Sequence, residues 1–487
     1  MTAPKSGPKV RGQPVLATPT LNLAPRDVEG LMAELEAYHA LFSPLFARTE
    51  QRQWAKKYLE GQLLDIPRKS MEPMVLALEG PKGSAVRAMQ QFIGEGAWDD
   101  DPILIQHQRL VDETLGAANG VLIVDPSGFP KQGRDSVGVA RQYCGALGKV
   151  ANCQVGVFLG YASAMGYTLI DRRLYLPEPW FAPEARDRWE KCGIPDGTPF
   201  QTAPQLAAQM LRQVVERGTL RFRWVTCDEQ FGRDPAFLDE IARLNKWYFA
   251  EVPQDTRVWR RRPATGVPPA KDRGRRPTRP RLRPGAPAAQ RVDAVAQTLP
   301  RRAWTRRTIK EGAKGPIVAD FAFLRAVAVR DGLPGPPVWV VFRRSLGPTP
   351  ELKVYLSNAP QQTSKRALVR VSGMRWPVET AIEEGKGELG MDHYETRSWR
   401  GWHHHMTMTL LAHHFLVRMR LRLKKKPSVD GPPSPRVAQR GLAQERVRCP
   451  RRPGGNPVLP APQPYRLSRP SQAHAQTPAP AAFVEAP

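Results

Sequence analysis

The spacing of apolar residues predicts several helices at the start of the chain. Apolar positions recur every three or four residues in 27–42, 52–64, 69–80 and 84–94. This spacing places the apolar side chains on one face of an α-helix. Short breaks that contain proline or glycine separate these segments. The pattern therefore predicts an all-α N-terminal domain over residues 25–115.

Near residue 120 the pattern changes from helical to extended. The run GVLIVDPSGF is apolar up to Asp125, and CQVGVFLGYAS and GYTLIDRRLYLP follow as two further strand-like runs. A helical segment then precedes the strand-like run FRWVTCD, which ends in Asp228, and another helix and the strand-like run KWYFAEVP come next. This order indicates a mixed α/β region over residues 116–253.

A change of composition interrupts the α/β pattern. Residues 257–307 contain fifteen Arg and eight Pro against two Asp and no Glu, so we expect a mobile basic loop that buries no core. Three strand-like runs follow, in GPIVADFAFLRAVAV, PVWVVFRRS and ELKVYLSN. The helical pattern returns at Pro377. We therefore predict an insertion over 254–370, made of the basic loop and β-strands, and C-terminal helices of the α/β region over 371–423.

Composition limits the class of protein. The two ends, 1–24 and the Pro-rich 424–487, are predicted to be disordered. The net charge of +27 and the pI near 10.3 favour a polyanionic partner, most commonly nucleic acid. The five cysteines form no C-x-x-C pair, which suits a reducing cytoplasm and argues against a zinc ribbon or a disulfide framework. No apolar run is long enough to predict a membrane span or a signal peptide.

Two aspartates lie at the ends of predicted strands, and a glutamate-bearing helix follows much later in the chain. Adjacent strands and a flanking helix can bring such carboxylates together. Hard oxygen ligands of this kind suit two Mg²⁺ or Mn²⁺ ions, and a two-metal site cleaves phosphodiesters. The alternative is that Asp125 and Asp228 only cap turns, which is the usual role of a strand-end aspartate.

These residues lie in segments that resemble the DDE transposases of bacterial insertion sequences. The resemblance covers about 27–423 and implies an RNase H-like mixed-sheet catalytic core, interrupted by a β-rich insertion and preceded by an all-α domain that binds or pairs DNA ends. The segments that carry it are DPSGFPKQGRDSVGVARQYCGALGKVANCQVGVFLGY (125–161), VTCDEQFG (225–232), RWPVETAIEEGKGELGMDHYETRSWRGWHHHMTMTLLAHHFL (375–416) and the helical stretch 54–74.

The resemblance also implies which residues act. It gives Asp125 and Asp228 as the first two metal-binding, catalytic acids. Arg375, Glu379 and Lys386 fit the family spacing of Tyr, two residues, Arg, three residues, Glu, six residues and Lys, so Glu379 becomes the third acid. Ser372 stands where the family has its Tyr. This departure concerns a contact with a DNA phosphate rather than the metal site.

Side-chain chemistry supports the same choice. On an α-helix Glu379, Glu383 and Lys386 share a face, whereas Glu384 points away and is predicted to be a solvated surface charge. A carboxylate is favoured near a helix N-terminus, where Glu379 lies. Lys386 and Arg375 can each hold a DNA phosphate. The alternative is ordinary Glu–Lys pairing on an exposed helix.

Further phosphate contacts are predicted beside the first acid. In SGFPKQGRDS, Gly128 and Gly133 allow a tight turn that presents Lys131 and Arg134 to DNA. A plain solvated hairpin is the alternative for this segment. Arg141 is a weaker candidate of the same kind.

A group of histidines in the last helical segment invites comparison with zinc sites. HHH at 403–405 and the pair at 413–414 occur without an HExxH motif or a cysteine partner. We therefore predict a helix whose histidines are packed or polar rather than metal ligands.

By resemblance, the chain is a cut-and-paste transposase that uses two Mg²⁺ (or Mn²⁺) ions per active site. Its partners would be double-stranded DNA, both terminal inverted repeats and target, and a second copy in the DNA complex. The expected location is the bacterial cytoplasm, in association with the nucleoid. No Walker-type phosphate loop occurs, so ATP use is not expected. Two alternatives stay open: a transposase-derived DNA-binding protein without catalysis, and an RNase H-like nuclease without strand transfer.

Overall fold

The computed structural model describes residues 30–269, 277–312 and 315–425. These residues belong to one compact unit. The disorder predicted for 1–24 lies outside the described residues, as does most of the tail predicted to be disordered over 424–487; its first two residues, Lys424 and Lys425, instead end the last helix. No helix in the described part of the chain is long and apolar enough to span a bilayer.

The helices predicted at the start of the chain are confirmed. They pack around the last helix, α13 (Trp399–Lys425), because apolar side chains such as Tyr58 and Phe92 share one buried cluster with Leu411 and Phe415. The first and last helical segments therefore depend on a common core. The N-terminal helices are α1 (Leu31–Ala40), α2 (Thr49–Gln62), α3 (Met71–Glu79), α4 (Gly83–Gly94) and α5 (Asp100–Leu115).

A mixed sheet follows, flanked by helices. Its first strand runs antiparallel to the third and parallel to the fifth, which is itself parallel to the sixth. The second and fourth strands pair with the third. The strands are β1 (Val121–Pro130), β2 (Ala140–Cys144), β3 (Lys149–Ala162), β4 (Tyr167–Tyr175), β5 (Trp224–Cys227) and β6 (Trp247–Val252), and the helices are α6 (Arg186–Cys192), α7 (Ala203–Arg217), α8 (Glu229–Gly232) and α9 (Pro235–Arg243).

The prediction that the first strand ends at Asp125 is wrong. Strand β1 continues to Pro130, because Asp125 pairs with Phe158 of β3 and the pairing extends as far as Pro130 and Cys153. Gly133, with φ +78°, makes the turn that follows. Asp125 is therefore fixed in the middle of a strand rather than in a loop.

The strands of the insertion extend this sheet. Its elements are β7 (Arg257–Trp259), β8 (Thr265–Gly266), β9 (Arg281–Leu282), β10 (Gln290–Arg291), α10 (Val292–Thr298), β11 (Thr305–Gly312), β12 (Gly315–Arg330), β13 (Leu333–Arg344) and β14 (Leu352–Ser357). Strand β14 pairs antiparallel with β6, and the order of the whole sheet is β10-β7-β12-β13-β14-β6-β5-β1-β3-β2, with β11 on β12 and β4 on β3. The pair β8–β9 forms a separate small sheet.

The basic loop predicted for 257–307 is partly wrong. Its residues 270–276 lie outside the described residues, but both of its ends are folded. Val258 and Trp259 are buried on β7, and Val292 and Val295 are buried on α10. These few apolar residues have strand and helix spacing and pack into the core, although arginines surround them in the sequence.

The chain returns to helices after β14. The helix α11 (Lys365–Ser372) was not predicted, whereas α12 (Trp376–Leu389) was. The α12 helix packs on β1, β3 and β4, which directs its first turn toward Asp125. Its position therefore determines which of its side chains can reach the acids.

The prediction of packed histidines on α13 is confirmed. His404 contacts the backbone carbonyls of Ile93 and Trp98, and His405 contacts Tyr58 and the carbonyl of Met391. Burial lowers the pKa of His404 to about 4 and that of His405 to about 3. The two rings are therefore neutral groups of the core at physiological pH.

Candidate active site

The three predicted acids line one cavity. Parallel pairing of β1 and β5 aligns Val124 with Cys227, so Asp125 on β1 lies beside Asp228, the residue that follows β5. Glu379, in the first turn of α12, reaches the same cavity, which has a volume of about 550 Å³. Its lining residues are Asp125, Pro126, Gly128, Gln142, Tyr143, Gly145, Val155, Tyr175, Thr202, Ala203, Pro204, Asp228, Gln230, Arg375 and Glu379.

Local structure fixes the direction of Asp228. It is the N-cap residue of α8, and its Oδ1 accepts hydrogen bonds from the backbone N–H groups of Gln230 and Phe231 at 3.0 and 3.3 Å. Capping is the ordinary role of an aspartate at this position. Its second carboxylate oxygen has no such bond among the described residues, so Asp228 combines capping with a place in the cavity wall.

Arg375 lies between two of the acids. Its Nη1 atom is 2.6 Å from Glu379 Oε1 and 3.4 Å from Asp125 Oδ1. The predicted phosphate-binding arginine is thus paired with carboxylates in this structure. Burial alone would lower the pKa of Arg375, but Glu379 and then Asp125 raise it above its ordinary value.

The acids repel one another in this partly dry site. Burial, and then the charge of Asp228, raises the pKa of Asp125 to about 8, although Arg375 opposes the rise. Burial also raises the pKa of Asp228, against the hydrogen bonds from Phe231 and Gln230. A divalent cation would remove this repulsion, because it favours the charged carboxylates.

The donor set fits a hard divalent cation, since it consists of carboxylates beside a cavity. No group of three or more His, Cys, Asp or Glu side chains within residues 30–269, 277–312 and 315–425 is already assembled around a point that could hold a metal ion. Instead, Arg375 contacts two of the three acids, Asp125 and Glu379. Ion binding at these acids would therefore include release of the arginine.

A fourth acid, missed in the sequence, lies next to the cavity. Glu251 is on β6, the neighbour of β5, and its charge acts on both Asp228 and Arg375. The Nζ atom of Lys353, on β14, lies 2.9 Å from Glu251 Oε1. The signal available in the sequence was a lone carboxylate inside the apolar strand WYFAEV.

Two lysines predicted to contact DNA are bonded to backbone carbonyls of the protein in this structure. Lys386 Nζ donates to the carbonyl of Gly128 at 2.9 Å, and Lys131 Nζ donates to the carbonyl of Tyr394 at 3.1 Å. Lys131 Nζ also lies 3.4 Å from the ring centre of Tyr394. Burial lowers the pKa of both lysines. These contacts tie α12 and the segment after it to β1.

Of the other predicted contacts, Arg134 and Arg141 are exposed. A further cation, Lys310 on β11, was missed because it belongs to the insertion. Its Nζ lies 3.6 Å from the ring centre of Trp376, one residue after Arg375. Burial and then Arg343 lower the pKa of Lys310 to about 8, and Glu379 opposes this change. The insertion therefore adds a positive charge near the third acid.

The prediction that Glu384 is a solvated surface charge is wrong. It does point away from Glu379, but α13 and β4 cover that side of the helix. Glu384 accepts hydrogen bonds from Tyr167 at 3.0 Å, His413 at 3.0 Å and Arg420 at 2.9 Å. Burial opposes ionisation, yet His413 and Arg420 lower the pKa of Glu384 to about 2.

Comparisons with known proteins give similarities to DNA enzymes. The chain is 25% identical over 233 residues to the probable transposase for insertion sequence element IS701 of Microchaete diplosiphon, across 47% of this chain and 56% of that protein. The chain thus matches little more than half the length of this relative.

Two solved structures are also similar in part. The piggyBac transposase synaptic complex with hairpin DNA aligns with a TM-score of 0.40 at 12% identity, over 89% of this chain and 84% of that one. The NurA nuclease from Sulfolobus solfataricus aligns with a TM-score of 0.25 at 11% identity, over 58% and 85%. Both scores are below 0.5, so neither likeness establishes a shared fold.

The sequence pattern of one protein family covers more than half of the chain. The family is described as DDE superfamily endonuclease, and its pattern matches residues 41–316. This range includes Asp125 and Asp228 and stops before Glu379. The chain belongs to the DDE superfamily of endonucleases.

Proposed function

We propose that this protein cleaves DNA phosphodiesters at the cavity formed by Asp125, Asp228 and Glu379, with a core of the RNase H-like type. The convergence of these three acids on one cavity carries the proposal. Family membership supports the same chemistry. The net charge of +27 suits a polyanionic substrate.

The three acids would hold two Mg²⁺ or Mn²⁺ ions. Bound there, the ions would supply activation of the attacking oxygen and stabilisation of the leaving oxygen. The protein contributes a fixed set of ligands, because Asp125 is held within a strand and Asp228 within a helix cap. Arg375, released from Asp125 and Glu379, would be close enough to pair with a DNA phosphate.

The wider activity that we propose is cut-and-paste transposition of an insertion sequence. The protein would bind terminal inverted repeats as a homodimer, cleave there, and join the freed 3′-hydroxyl to target DNA. The relative described as a transposase supports this reading. The helical region before residue 115 would serve DNA-end binding or pairing, and the work would take place on DNA in the bacterial cytoplasm.

The test is a cleavage assay on a plasmid that carries the protein's own gene with its flanking DNA. With Mg²⁺ we expect nicks at the ends of the element, and none with EDTA. Asp125→Asn, Asp228→Asn and Glu379→Gln should each abolish cleavage and leave DNA binding largely intact. Glu383→Gln is the matched control, since Glu383 lies on the same helix and is exposed. Cleavage by Glu379→Gln together with its loss in Glu383→Gln would overturn the assignment of the third acid.

The products separate the proposed activity from its alternatives. Strand-transfer products are expected for a transposase, whereas a nuclease without strand transfer would give nicks only. Binding to the same DNA without nicks under any metal condition would indicate a transposase-derived binding protein. Short inverted repeats in the flanking DNA would favour transposition.

A further inference from the structure

The hairpin between β2 and β3 exposes large apolar side chains beside the cavity. Tyr143 is 66% exposed, Leu147 46% and Val150 53%. Tyr143 and Val150 are cross-strand partners, and Leu147 lies in the turn that joins the strands. Single exposed apolar residues are common, but three within eight residues form a patch that indicates a binding surface.

The hairpin is held rigidly with respect to the acids. Strand β3 pairs with β1, which carries Asp125, and also with β2, which carries Tyr143. Gly128 of β1 leaves room for the close approach of Cys144, whose Sγ atom would lie 2.8 Å from an added Cβ. The backbone of Tyr143 is therefore tied through β3 to the strand that carries Asp125.

Tyr143 is one of the residues that line the cavity shared by the acids. Its side chain has no hydrogen-bond or ring partner among the residues that the structure describes. Its hydroxyl and ring are therefore available to a ligand in the cavity.

The charges of the hairpin fit nucleic acid. The segment ARQYCGALGKV (140–150) contains Arg141 and Lys149 and no acidic residue, and both cations are exposed. A lipid surface or an acidic protein would use the same charges, but neither would explain an aromatic ring at a cavity lined by carboxylates. A basic strand with an exposed tyrosine suits DNA, where cations contact phosphates and the ring stacks on a base.

We propose that Tyr143 stacks on an unpaired nucleobase of the DNA next to the phosphodiester at the acids. Arg141, two positions before Tyr143 and therefore on the same face of β2, contacts a neighbouring phosphate. This inference rests on the proposed function, because it takes DNA as the occupant of the cavity. It makes the β2–β3 hairpin a subsite for a frayed or single-stranded end rather than for a closed duplex.

The test measures binding by the full chain carrying Asp125→Asn, which prevents cleavage. The probes are short duplexes with a single-stranded overhang that contains 2-aminopurine, a base whose fluorescence falls on stacking. We expect fluorescence loss at one or two positions of the overhang. Adding Tyr143→Ala should restore the fluorescence and weaken overhang binding roughly tenfold, the order of one lost stacked base. Adding Tyr143→Phe should keep both effects, and binding to blunt duplex should change little in either variant.

Equal fluorescence loss and affinity with Tyr143 and with Tyr143→Ala would overturn the inference. So would a DNA-free dimer that Tyr143→Ala dissociates, since the patch would then bind a second copy. The proposed function is tested separately by cleavage with Asp125 intact. Cleavage without base stacking would refute only this inference, and stacking without cleavage would refute only the catalytic proposal.

Discussion

Two carboxylates five positions apart on α12 have opposite surroundings. Glu379 is in a cavity with two further acids and a single arginine, which contacts both Glu379 and Asp125. Glu384 has three donors of its own, from Tyr167, His413 and Arg420. The first cluster contains more negative charge than it can neutralise, whereas the second is fully paired.

This difference distinguishes a candidate functional site from a contact that stabilises the fold. The donors around Glu384 lower its pKa to about 2, so ionisation of Glu384 stabilises the fold. Burial, and then the neighbouring acids, raise the pKa of Asp125 to about 8, so ionisation of Asp125 destabilises the fold. A cluster that gives up stability in this way is typical of groups arranged for binding or catalysis.

The largest change in the free energy of unfolding is expected when Glu384 is removed from its three donors. Glu384→Ala should lower the free energy of unfolding by about 3–5 kcal/mol, because it leaves Arg420 and His413 buried without their anion. Chemical denaturation at pH 7 measures this change. Glu383→Ala is the control and should stay within about 0.5 kcal/mol, since the side chain is exposed. Equal losses in the two variants would contradict the comparison.

Removing a carboxylate from the cavity should increase the free energy of unfolding rather than lower it. Asp125→Asn should raise the free energy of unfolding of the metal-free protein by about 1–2 kcal/mol at pH 8, because it relieves repulsion in a buried site. The folded protein holds a proton on Asp125 that the unfolded chain loses near pH 4. The wild type should therefore lose stability relative to the variant as the pH rises from about 4 to about 8. Thermal melts across this range measure the difference, and a constant gap would refute this cause.

Divalent cations should stabilise the folded protein only through the acids of the cavity. Mg²⁺ at ten times its dissociation constant should add about 1.4 kcal/mol to the wild type. Asp125→Asn and Asp228→Asn should lose this gain, whereas Glu384→Gln should keep it. Melting curves with and without Mg²⁺ provide the readout, and an equal gain in all variants would mean that the ion binds elsewhere.

The smallest effect is expected at the edge of the cavity. Lys353→Met should lower the free energy of unfolding by about 0.5 kcal/mol, because the Glu251–Lys353 pair is partly exposed. Without its lysine, Glu251 adds negative charge near Asp228, so the stabilisation by Mg²⁺ should increase. A decrease of that stabilisation would show that Glu251 does not act on the acids.

Residue chemistry, spacing and the family resemblance together predicted that three acids come together, and all three line one cavity. The apolar runs before Asp125 and Asp228 predicted strands, whereas Glu379 was distinguished from Glu383 only by its fit to the spacing of the family that the chain resembles. Helical spacing put Lys386 on the face of Glu379, but only the tertiary structure shows the Gly128 carbonyl that binds it. Likewise, the sequence showed that Glu384 points elsewhere, not that α13 lies there. Glu251 and Lys310 were missed because strand pairing between distant parts of the sequence brings them near the acids.

Sheet continuity has an evolutionary consequence. Because β14 pairs with β6, the segment from β7 to β14 is not an appendage that could be deleted cleanly. Its loss would leave β6 as a bare edge with unpaired backbone groups, which invites aggregation. We expect changes of length instead at the connections between its strands, such as the stretch between β7 and β10. Related chains should therefore differ in the size of those connections while β14 stays in place.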